Sequence, residues 1–371
     1  MLIVSRKSLK WLPALAVPAL VAAGVVAIPL SAGAAVDLPD KTAKEVLLLV
    51  SDSTEDTFSG TVEKTAELGL PDIDATGMGQ SMGGSSSGLS AEGSSELIST
   101  ALELASGTHD ANVYVSGEKN VRVQVKDQLA ERIAVSNGSD AWFYDSESNV
   151  ATHVAIPTDT PPQDKSDSHP GEMLTPPELA DRLLTELEPT TTITVGTDAR
   201  VAGRTVYELV LTPKVSGTLA ESISIAVDSE TGLPLQVTVA AAGQKEPAFR
   251  VGFTSLDLSD PAADLFTYTP GDGVTVKEQP LPSMPPAGEH NPDTDSGVTT
   301  IGTGWETIVA LPAGSAPDGF ADNPMLDQLT TKVDGGHLLS TSLLNVLLTD
   351  DGRVFAGSVT VDRLQAAANA E

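Results

Sequence analysis

The chain has 371 residues, 40% hydrophobic and 19% charged, with 51 acidic against 21 basic residues and no cysteine. A formal net charge of −30 repels phosphate backbones, which argues against a nucleic-acid partner. An aromatic content of 4% withholds the stacking platforms of single-strand binders, and the lack of thiols excludes disulfides, thiolate zinc sites and iron–sulfur clusters.

Arg6, Lys7 and Lys10 form a basic start, Trp11 to Leu30 an apolar run, and Ala32-Gly33-Ala34 a small-residue cleavage site. That order predicts a secretory signal peptide over residues 1–34. A retained membrane anchor is the alternative, because about 20 apolar residues can span a bilayer. Pro13, Pro18 and Pro29 favour cleavage. Either way, the remainder is expected to work outside the cytoplasm.

Asp40 to Val50 predicts a first helix with Asp40 as N-cap, followed by a strand from Thr57 to Leu68. A Gly/Ser-rich stretch between Pro71 and Ser95 reads as a loop. Ser95 then opens a short amphipathic helix with Leu97 and Leu102 on its apolar face. A meander of strands comes next. Val121, Val123 and Val125 alternate with Arg122, Gln124 and Lys126, so the polar residues are expected on an opposite face where substitution does little. Ala130–Ser136, Ala141–Tyr144 and Val150–Ile156 continue the meander, with Asn137-Gly138 as a hairpin turn.

Pro157 to Pro177 reads as a Pro- and Asp-rich loop, and Glu178 to Leu187 as a second helix whose stripe carries Leu179 and Leu183. Strands are expected from Thr191, and over Val206–Thr212, Ser222–Val227, Leu235–Ala240 and Ala248–Leu256, with a turn at Asp228–Gly232. The fold class is therefore α+β, one large antiparallel sheet with two or three helices. Residues 278–297 have linker composition, which divides a main domain, 35–277, from a small α/β unit, 298–371. That unit is expected to hold strands near Trp305–Leu311, Leu338–Leu348 and Val354–Val361, then a final helix.

Motifs for chemistry are sparse. His109, His153, His169, His290 and His337 form no metal-ligand spacing and read as surface or turn histidines. The acidic stretch Asp159–Asp167 does not match a calcium loop, so neither metal nor cofactor is expected. G-x-S-x-G occurs around Ser81 and Ser86, inside the Gly/Ser-rich stretch and without the strand and helix that hold a nucleophile elbow. A serine hydrolase is a remote alternative; the expectation is a protein that is not an enzyme.

Arg122, Asn137-Gly138 and the Trp142, Tyr144, Asp145 strand resemble the lipoprotein-carrier family of the Gram-negative periplasm. The segment from Ser224 to Pro270, with its Asp228–Pro234 turn and closing Phe266–Pro270, resembles the related periplasmic sigma-factor regulatory sensors. The resemblance covers roughly residues 37–275. It implies a curved, unclosed antiparallel half-barrel lidded by short helices, which binds acyl chains of lipids or lipoproteins without catalysis. The sensor branch adds a smaller C-terminal domain. As an alternative it implies an envelope-stress regulator that binds a membrane-anchored anti-sigma factor.

The strands alone predict one apolar face: Val121, Val123, Val125, Ile133, Val135, Leu209, Leu211, Ile223, Ile225, Val237, Val239 and Val251. A filled core meets that pattern as well as a cavity does. With the resemblance, the same residues, together with Trp142 and Tyr144 and the lid residues Leu97, Leu102, Leu179 and Leu183, become the expected ligand-binding set.

Overall fold

The computed structural model describes residues 37–69, 107–126, 130–156, 184–185, 187–280, 297–314 and 329–370. The expected signal peptide, Ser81 and Ser86, Leu97 and Leu102, the segment expected as a loop from Pro157 to Pro177, and Leu179 and Leu183 all lie outside the described residues, as does most of the predicted linker.

A single sheet of thirteen strands dominates the described residues. Its first half is β1 (Thr57–Ala66), β2 (Gly107–Ser116), β3 (Asn120–Lys126), β4 (Glu131–Asn137), β5 (Asp140–Asp145) and β6 (Val150–Ala155). Its second half is β7 (Thr191–Val195), β8 (Ala199–Val201), β9 (Arg204–Pro213), β10 (Ala220–Asp228), β11 (Pro234–Ala241), β12 (Phe249–Asp257) and β13 (Thr275–Glu278). The order is β13-β6-β5-β4-β3-β2-β1-β12-β11-β10-β9-β7, with β8 also on β9. The sheet is curved and does not close on itself. Neighbours are antiparallel except β13, which lies parallel to β6.

Turn chemistry and bulges set this path. Asn137 accepts from the backbone of Ser139 and Asp140, and Gly138 takes φ +86°, so β4 turns tightly into β5. Register shifts at Thr61/Val62 and Ala226/Val227 bend the long strands. In the β10–β11 turn Gly232 takes φ +77°, and a Cβ there would lie 2.0 Å from the carbonyl oxygen of Leu49. Only glycine allows both the turn and the approach of the first helix.

That helix spans Ala43–Ser51 and is capped by Thr42, not Asp40. Thr42 stands three residues before Glu45, and each side chain binds the other's backbone amide in a capping box. Val46 is fully buried on Tyr207, Leu209 and Val227, with Ile193, Val195, Leu211 and Ile225 around them. The helix therefore covers the β7, β9 and β10 end of one sheet face. From the second predicted helix only 184, 185 and 187 are described, as helical.

A second sheet has six antiparallel strands in the order β14-β15-β19-β18-β17-β16. They are β14 (Thr299–Ile301), β15 (Ile308–Leu311), β16 (Thr330–Val333), β17 (Gly336–Ser340), β18 (Asn345–Thr349) and β19 (Val354–Gly357). Leu338–Leu348, expected as one strand, is a hairpin: the Thr341 hydroxyl accepts from the backbone of Leu343 and Leu344 and breaks the ladder. The helix Val361–Ala370 buries Leu364, Ala367 and Ala368 on Phe355, Leu347 and Ile308.

Both sheets lie in the unit Leu38–Glu371 and touch directly. Leu219 N–H donates to Ser358 and Thr360 N–H to Gly217, each at 3.0 Å. Trp305 Nε1 donates to the buried hydroxyl of Thr191 at 2.8 Å.

Candidate functional site

Cross-strand register separates the expected apolar face into two. On the first face Val121, Val123 and Val125 lie opposite Val115, Val113 and Ala111 of β2, which in turn lie opposite Phe58, Gly60 and Val62 of β1. Beyond β1 the same face continues through Val251 and Phe253 of β12, Val237 and Val239 of β11, Ile223 and Ile225 of β10, and Leu209 and Leu211 of β9. Ten of the predicted residues thus share one face.

Four others do not join it. Ile133 pairs with Gln124 and Val135 with Arg122, and Tyr144 and Trp142 stand opposite Ile133 and Val135. This corrects the single-face reading. Period-2 alternation identifies which residues of one strand travel together, but the register between strands decides which face they reach.

The second face is packed by the chain itself. After β12 the segment carrying the short helix Ala263–Phe266 crosses over β3 and β4 on its way to β13. Phe266 is buried, and Tyr268 lies 5.5 Å from the Trp142 ring and 5.6 Å from the Tyr144 ring. Arg122, expected to be dispensable, donates to the carbonyl oxygen of Leu265 at 3.1 Å. Gln124 bonds Glu131. Val135, 4% exposed, and Ile133 are core residues under this crossing.

The first face differs between its two ends. Over β9 and β10 the helix Ala43–Ser51 seals it, and Leu209 is buried there. From β12 across β1, β2 and β3, the residues Val251, Val62, Val113 and Val123 are only half-buried. Phe143 of β5, 53% exposed, stands beside Ala134 on this face. Phe253 leans across the space left by Gly60 and meets Phe58 edge to face at 5.9 Å. Lys64 is the cation in this stretch, opposite Val251 and His109, and burial lowers its affinity for a proton. Covering such a face releases about 25 cal/mol per Å² of apolar area removed from water.

One polar constellation escaped the sequence. His153 lies beside Trp142 on the second face, with its ring stacked at 4.2 Å. Its Nδ1 is 2.8 Å from Glu278 and its Nε2 3.0 Å from Asp140. Hydrogen bonds that the protonated ring donates to Asp140 and then to Glu278 raise its proton affinity. The signal available beforehand was the cross-strand pairing of Trp142 with His153, legible only with the β5–β6 register in hand. Among the described residues no group of three or more His, Cys, Asp or Glu side chains is placed to hold a metal ion. No described helix is long and apolar enough to cross a membrane.

No protein-family model matches the chain, and no curated protein does. Similar solved structures include MucB in complex with MucA(peri), at 15% identity and TM-score 0.42, covering 88% of this chain and 97% of that one. The Pseudomonas aeruginosa MucA/MucB complex is similar at 16% identity and TM-score 0.41, covering 88% and 96%. A LolA superfamily protein from Nitrosomonas europaea, at 11% identity and TM-score 0.24, covers 62% of this chain and 99% of its own.

Proposed function

We propose that this chain is an extracytoplasmic, non-catalytic binding protein that holds acyl chains of lipids or lipoproteins, as a carrier or a sensor. The observation that carries the reading is the half-buried apolar stretch of the first face from β12 to β3, with exposed Phe143 beyond it. Apolar area of that extent on a sheet interior is costly to leave in water and matches a flexible hydrocarbon chain. Within this reading residues 1–34 are a cleaved signal, residues 278–297 a linker, and residues 298–371 the smaller second domain of the sensor type. Val121, Val123, Val125, Val237, Val239 and Val251 are the residues that contact the acyl chain.

The test is native mass spectrometry of the mature chain purified without delipidation, followed by titration with a fluorescent fatty acyl probe. Co-purifying acyl species and saturable probe uptake are expected. A chain that carries no lipid and takes up no probe, while folded by circular dichroism, overturns the reading.

A further inference from the structure

The β13 strand is held in an unusual way. Its four residues, Thr275 to Glu278, are all exposed, so side-chain burial contributes little to its place on the sheet edge. It pairs with β6 in the less stable parallel arrangement. Backbone bonds tie its two ends, from Thr275 N–H to Asn149 and from Gln279 N–H to His153. Asn149 Nδ2 also donates to Gly273 just before the strand. The side-chain tie is Glu278 to His153.

The geometry around His153 fixes its charge. A neutral imidazole carries one N–H and can donate once; here each ring nitrogen faces a carboxylate oxygen, at 2.8 and 3.0 Å. Both bonds exist together only in the imidazolium. We propose that the His153 imidazolium is a latch that pins β13 to the sheet edge, and that loss of its proton releases Glu278 and frees the strand. The two arms are unequal. Asp140 is fixed inside its hairpin, accepting from the Ser139 hydroxyl at 2.7 Å, while the Glu278 side chain is 72% exposed. A neutral ring therefore keeps its one N–H toward Asp140 and turns a lone pair toward Glu278.

The groups around the ring are Asp140 from β5, Glu278 from β13 and the Trp142 indole stacked on its face. Beyond Trp142 lie the phenols of Tyr144 and Tyr268, and Arg122 and Glu131 adjoin Tyr268. The imidazole is the side chain whose ordinary value lies between mildly acidic and mildly alkaline pH. Its proton affinity is raised by Asp140 first and Glu278 second. The latch is thus fully closed below the ordinary histidine value and opens as pH rises through the higher folded-state value. Opening unpairs the outer edge of β6, which is a template for an added strand.

Amide hydrogen exchange on the full mature chain tests this at about pH 5.5 and about pH 8.5, either side of the ordinary histidine value. After correction for intrinsic rates, protection of the Lys277 and Gln279 amides, which face β6, should fall about threefold at the higher pH, as for an exposed ion pair. Protection in the β4–β5 ladder should stay level. Glu278→Gln, at an exposed position, should give low β13 protection at both pH values, and His153→Gln should do the same. Equal β13 protection at both pH values in the parent overturns the latch. A pH dependence that persists in Glu278→Gln, or in His153→Gln, also overturns it.

Discussion

Asp228 shows how one buried carboxylate organises a turn. Its side chain is 1% exposed, accepts two bonds from the Arg204 guanidinium at 2.9 and 2.7 Å, and accepts from the hydroxyl and backbone amide of Thr231. Burial pushes this carboxyl up, but Arg204 and both Thr231 bonds pull further and hold it below its ordinary 3.8. The sign follows: the stabilisation is present above that value and is lost as pH falls through the folded-state value. Asp228→Asn should cost about 2–3 kcal/mol in urea unfolding at neutral pH, at the lower end for a broken pair because Arg204 retains some water. The variant should also lose less stability than the parent on acidification. An unchanged midpoint would show that the Thr231 bonds alone hold the turn. Arg122 carries a second residue-scale prediction. Arg122→Ala removes a charged donor from the Leu265 carbonyl and should cost about 1–2 kcal/mol while leaving acyl-probe uptake intact.

Among elements, β3 and β4 show what was legible in the sequence. Both strands, the hairpin at Asn137-Gly138 and the Val121–Val123–Val125 alternation are where the residues predict them. What was not legible is the pairing of Arg122 with Val135 instead of with a polar neighbour, because it depends on the length of the β3–β4 connection. The same gap concealed His153 beside Trp142, and concealed the crossing segment that makes Ile133 and Val135 core. Nor did local pattern place the exposed β13, whose composition, Thr-Val-Lys-Glu, carries no apolar face. Two matched substitutions separate the faces. Val135→Asp puts an unpaired carboxylate beside Trp142, on a strand that the Ala263–Phe266 helix approaches, and should cost several kcal/mol, unfolding the main sheet. Val123→Asp falls on the half-buried first face, where water reaches it. It should shift the thermal midpoint far less and abolish most probe uptake. Equal loss of stability at both positions would mean that the first face is filled core.

At the scale of the molecule, the question is whether the two sheets behave as one body. Among the described residues the contacts between them are few but specific. Backbone bonds join Gly217 and Leu219 to Thr360 and Ser358, Thr218 bridges Val359, and Ser342 N–H donates to Leu68 at 2.8 Å. Trp305 adds a side-chain tie, with its indole N–H on the hydroxyl of Thr191, a fully buried residue at the start of edge strand β7, and the Ser342 hydroxyl adds another by donating to the Glu67 carbonyl. Gly304 before it takes φ +59° with its backbone against Thr190, so the chain is shaped to bring the indole in. Backbone ladders of this kind couple the unfolding of what they join, because neither partner can leave without exposing unpaired amides. Calorimetry of residues 37–371 should accordingly show one transition. Trp305→Phe keeps the ring and removes the donor, leaving the buried Thr191 hydroxyl without its indole partner, and should cost about 1–2 kcal/mol. Because that loss falls on the contact and not on either core, the variant's transition should broaden or divide, with the Phe355 and Leu364 cluster retained in the later-melting part or the earlier one. Two well-separated transitions in the parent, unchanged by Trp305→Phe, would show that the sheets are energetically independent and that the contact is incidental.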